Sequence, residues 1–139
     1  MSVRVLLGVL AAAQFVVGLW ALLLPQAFYD AFPYGGTPWV ALLPPYNEHL
    51  VRDHGAGTLA LGVALALAAW WLDRRLVIAT VAAFLTFSVP HAVFHSLHLE
   101  HFPLADAVAQ QAAFVAEIAL AVAVLVLVAR DRQPVPART

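Results

Sequence analysis

The sequence predicts an all-α protein: a four-transmembrane-helix bundle, N-in/C-in, with an outer aromatic and proline-rich loop between helices 1 and 2. Three observations predict it. Of the 139 residues, 63% are hydrophobic and only 11% charged, where a soluble domain carries roughly a quarter charged residues. The apolar residues fall into four stretches, each close to the roughly 20 residues that a helix needs to cross a bilayer core. The basic residues are unevenly divided: Arg4, Arg74, Arg75, Arg130, Arg132 and Arg138 fall on one side of a four-span arrangement, and only Arg52 on the other. Cytoplasmic loops carry the excess of arginine and lysine, which places both termini inside. A different number of spans would scatter the arginines over both sides.

The first span covers about 4–24. It is too long for a signal-peptide core, and it ends Trp20-Ala21-Leu22-Leu23-Leu24-Pro25 without a small-residue cleavage site, so it reads as a retained helix. Gln14 is its one polar interior residue, and Pro25 closes it. Residues 25–47 are rich in proline, glycine and aromatics, with a short interfacial helix expected over Gln26–Phe32 and a turn at Gly35-Gly36. Rings with polar tips suit the headgroup layer, and the loop reads as a cap over the bundle. The second span, about 48–72, carries Gly55, Ala56, Gly57, Ala60, Ala64 and Ala68, a small-residue face for close helix contact. Trp70 and Trp71 mark the opposite interface, and Asp73-Arg74-Arg75 is a tight hairpin.

The third span, about 76–99, contains Pro90, which cannot donate to the carbonyl of Thr86 and should kink the helix. The fourth, about 106–129, carries Gln110, Gln111 and Glu117. Residues 1–129 thus read as a single membrane domain, and 130–139 as a polar cytoplasmic tail.

Chemistry concentrates on the outer half. Four of the six histidines lie between Pro90 and His101. His91, His95 and His98 follow the i, i+4, i+7 rule and share one helix face. On span two, His49, Arg52 and Asp53 share another, while His54 stands off that face and reads as meeting headgroups; on span four, Asp106, Gln110 and Glu117 line up. At about 1.5 Å of rise per residue, His91 lies roughly 12 Å and Glu117 roughly 15 Å below the outer ends of their helices. An ionisable group at that depth is costly, so it is paired or faces a cavity. Arg52, the one outer cation, is in reach of Glu117 or Asp53, and its i, i+4 spacing from Glu48 also fits a salt bridge at the helix start. The candidate ligand-binding residues are therefore Arg52, Asp53, His91, Gln110 and Glu117. His49, His91, His95 and His98 are the candidate metal ligands; without cysteine, nitrogen and oxygen donors suit a transition metal such as Zn or Fe. His98 and His101 also fit a merely interfacial role, and His91 with Glu117 a structural polar network between helices.

At Asn47-Glu48-His49-Leu50-Val51-Arg52-Asp53-His54-Gly55-Ala56 and at Val89-Pro90-His91-Ala92-Val93-Phe94-His95, the chain resembles a group of small four-span membrane proteins common in actinobacteria, broadly DoxX-like in layout. The resemblance covers nearly the whole chain. It implies a four-helix bundle in a bacterial plasma membrane, and through the quinone-linked oxidation of some DoxX-type proteins it points to a quinone as a further cofactor. Three functions follow as expectations. The first is binding of a small ligand or metal in the outward-facing pocket, within a homodimer or larger membrane complex. The second is a quinone- or metal-dependent oxidoreductase, and the third a structural subunit. The near-zero net charge gives no reason to expect nucleic acid as a partner.

Overall fold

A computed structural model describes residues 2–34, 36–43 and 45–130 of the chain. Five α-helices account for most of them: α1 (Val3–Leu23), α2 (Pro25–Ala31), α3 (Glu48–Trp71), α4 (Arg74–Ser96) and α5 (Leu104–Arg130). Among the described residues there is no strand. α1, α3, α4 and α5 are each long and apolar enough to cross a membrane, so the chain is a multi-pass membrane protein in a lipid environment. The expected tail lies, apart from Arg130, outside the described residues, as does half of the Gly35-Gly36 turn.

Local chemistry sets the helix ends. Ser2 caps α1, Asn47 caps α3 and Asp73 caps α4, each side chain accepting from a backbone N–H three residues on, which satisfies donors that the first turn leaves orphaned. Pro25 starts α2, where its missing N–H costs nothing. α4 runs on through Pro90 but stops at Ser96, three residues before the expected end. The Leu97 N–H turns back to Val93 and Phe94 and the His98 N–H to His95, so the last turn tightens and a 3-10 turn follows at Leu99–His101.

α1 and α3 approach most closely. A Cβ on Gly18 would sit 2.7 Å from the Leu59 amide nitrogen, and one on Gly55 would sit 2.5 Å from that of Leu22. Glycine is required at both because the two backbones touch. Gly62, beneath them, has room for a Cβ only 3.1 Å from that of Gln14. The contact face of α3 is therefore Gly55, Thr58, Gly62, Leu65 and Ala68, all buried. This corrects the broader small-residue face: Ala56, Gly57 and Ala60 are exposed, on the side away from α1.

An apolar core fills the half of the bundle that holds the α3–α4 hairpin, with Leu7, Leu10, Leu65, Val81, Phe84 and Val124 at most 1% exposed. Toward the opposite end the core gives way to polar residues, and residues 36–43 with α2 lie across that end. Trp39, Phe102 and Ala107 form a second small core there.

Candidate functional site

Where the apolar core ends, a cavity of about 450 Å³ opens between α1, α3, α4 and α5, beneath the aromatic loop. Its floor is polar. Glu117 Oε1 accepts from Gln14 Nε2 at 3.1 Å and from Ser88 Oγ at 3.3 Å, so α1, α4 and α5 meet at one carboxylate. Both donors go to the same oxygen, and no hydrogen bond reaches Oε2 among the described residues.

Histidine and phenylalanine rings form one wall. His91 lies 6.0 Å from His54, 4.6 Å from His95 and 5.5 Å from Phe87, centroid to centroid, and Phe114 stands edge-on to it at 5.3 Å. His54 reaches this wall from α3 because positions 47, 51, 54 and 58 repeat at helical spacing on the face turned to the cavity. Aromatic residues form the roof: Phe28 and Phe32 pack at 4.7 Å, and Trp39 stands edge-on to Phe32 at 6.1 Å.

The roof is fastened to α5 by one buried carboxylate. Asp106 Oδ1 accepts from the Tyr34 hydroxyl at 2.5 Å and from Trp39 Nε1 at 2.9 Å. Hydrogen bonding to that carboxylate holds the Tyr34 phenol above its ordinary pKa of 10.0, with lost hydration and the negative charge adding to the effect. α5 thus contributes to both ends of the site, Asp106 to the roof and Glu117 to the floor.

Of the buried polar side chains lining the cavity, Thr58 Oγ1 has no partner, and the His95 and Gln110 side chains meet only each other. Thr58 and Gln110 are each only 2% exposed. A buried polar group left unsatisfied costs about 1–3 kcal/mol, so Thr58 beside the His95–Gln110 pair marks a place for something that hydrogen-bonds.

Of the residues expected at the site, His91, His95, Gln110 and Glu117 line this one cavity. Arg52 does not reach Glu117. Its Nε pairs with Glu48 Oε1 at 2.8 Å and its guanidinium donates to the Leu22 carbonyl, because the carboxylate one helical turn back is nearer than one across the bundle. Asp53 pairs instead with His49 at 3.2 Å, and both side chains are largely exposed. His98 leaves the stripe because α4 ends before it; its Nδ1 donates to the Phe94 carbonyl at 2.6 Å and its ring stacks on Phe94. The four expected metal ligands are thus not gathered, and among the described residues no three or more His, Cys, Asp or Glu side chains are arranged to hold a metal ion.

Sequence reasoning missed His54, Ser88 and Thr58. The available signal was their spacing: His54 and Thr58 sit one turn apart on α3, and Ser88 lies three residues before His91 on α4.

Comparison of the chain with protein-family models, with curated proteins and with solved structures gives no match.

Proposed function

We propose that this is a multi-pass protein of a bacterial plasma membrane that binds a small molecule in the cavity beneath its aromatic loop. The observation that carries the reading is the cavity itself: about 450 Å³, apolar and aromatic for most of its wall, with the unpartnered Thr58 hydroxyl, the His95 and Gln110 side chains and a half-bonded carboxylate around it. Ligand sites have this composition, an apolar enclosure with a few placed polar groups. The arginines support an N-in/C-in orientation, with Arg4, Arg74, Arg75 and Arg130 at the end opposite the cavity, so that the cavity faces outward. A purely structural role would leave the buried Thr58 hydroxyl without the partner that buried polar atoms normally have.

Thermal melting of the purified protein in detergent tests the reading, with phenol, hydroquinone and menadione as neutral ring-sized probes. A bound probe at a hundred times its Kd stabilises by about 2.7 kcal/mol. At least one probe should raise the melting temperature, and Ala113→Phe, which fills the cavity, should abolish the rise. No shift from any probe, or equal shifts in the filled variant, would overturn it.

A further inference from the structure

We infer that the ligand is an organic cation, a protonated or quaternary amine on an apolar body, with Glu117 as its counter-ion; this rests on the cavity being a ligand site. Among the described residues Glu117 is the only acidic one that lines the cavity, and no arginine lines it. A carboxylate at membrane depth is ordinarily paired with a cation. Among the described residues no arginine supplies one here. Arg52 is held by Glu48 and the Leu22 carbonyl, and Arg4, Arg74, Arg75 and Arg130 lie at the ends of helices on the other side of the apolar core. The two groups that do bond Glu117, Gln14 and Ser88, are neutral, and both approach the same oxygen. No hydrogen bond or ion pair joins Glu117 to His54, His91 or His95; those rings pack against one another and against Phe87 and Phe114.

The walls suit the same ligand. A cation over an aromatic face is attracted by the ring quadrupole, most strongly where water is excluded. Phe28, Phe32 and Trp39 above and Phe87 and Phe114 beside the cavity present such rings around the space that Glu117 faces. The unpartnered oxygen of Thr58 adds an acceptor for the N–H groups of a protonated amine. An anionic ligand would meet the carboxylate with no arginine among the described lining residues to offset it, only the packed rings of His54, His91 and His95.

Isothermal titration of the full-length protein in detergent, with benzyltrimethylammonium and with neutral benzyl alcohol, decides the matter. The cation should bind at least about tenfold more tightly than the alcohol, and Glu117→Gln, which keeps the hydrogen bonding and removes the charge, should bring the two together. A second variant, Phe114→Leu, should weaken the cation more than the alcohol. Equal or tighter binding of the alcohol to the native protein would overturn the inference, as would a cation preference that survives in Glu117→Gln. Binding of benzyl alcohol without cation preference would leave the cavity a ligand site and remove only its charge selectivity. If the neutral probes of the melting experiment also fail, the ligand site itself is lost.

Discussion

Gln14 of α1 donates to Glu117 of α5 at 3.1 Å, across 103 residues of sequence, and Ser88 of α4 donates to the same carboxylate oxygen. Three spanning helices are therefore tied at the level where the apolar core ends. Arg52, in the second turn of α3, takes no part in this tie. Gln14→Leu and Ser88→Ala should each destabilise the protein by about 1 kcal/mol, the net worth of such a bond. Combined with Glu117→Gln in thermal melts, Gln14→Leu should be non-additive, since residues in contact couple. Arg52→Gln with Glu117→Gln should be additive.

Glycine substitutions on α1 and α3 should separate sharply by face. Gly55→Ala places a Cβ against the Leu22 and Ala21 backbone and Gly18→Ala does the same against Leu59, so each should cost about 1–3 kcal/mol as overpacking does. Gly57→Ala meets nothing within 4 Å and should stabilise the helix by about 0.5–1 kcal/mol. Melting temperatures of the three variants in one detergent are sufficient to check this; equal losses at Gly55 and Gly57 would contradict the packing.

These contrasts show how much was legible in the sequence. Four spans, the short helix at α2 and the capping loop follow from composition and apolar run length, and the structure has four apolar helices at nearly those bounds. Helical spacing also brought His91, His95, Gln110 and Glu117 to one place. It failed at Arg52 and His98 for local reasons. Glu48 offered Arg52 a partner one turn away, and the tightened end of α4 broke the period before His98. Periodicity along one helix also cannot report which face a neighbouring helix covers. That is why Gly57 read as a contact residue and His54 as peripheral.

The Asp106 clamp gives a prediction at high pH. The folded-state pKa of Tyr34 is raised above its unfolded value, chiefly by its bond to Asp106. Its contribution to stability is therefore fully present below about pH 10 and is lost as pH rises through the folded value. Near-ultraviolet phenolate titration should find one tyrosine ionising earlier in Asp106→Asn than in the native protein. The same variant should open the loop to proteolysis between α2 and α3; unchanged cleavage would show that the clamp does not hold the roof.

Orientation rests on the arginines. Cysteines introduced into the cysteine-free chain at Tyr34 or Thr37 should be labelled from outside intact cells by an impermeant reagent, and one at Arg74 should not. The reverse pattern would turn the cavity to the cytoplasm.

The central claim is that a small molecule sits beneath Trp39, and quenching of that one residue tests it most directly. Trp39 lines the cavity and is 9% exposed, so Trp20→Phe, Trp70→Phe and Trp71→Phe together leave a reporter in the roof alone. Titration with menadione should quench this emission saturably, and Ala113→Phe on the same background should remove the saturable part. Quenching that rises linearly without saturation, and equally in both proteins, would mean that the probe meets Trp39 only through the micelle and that the cavity is not a binding site.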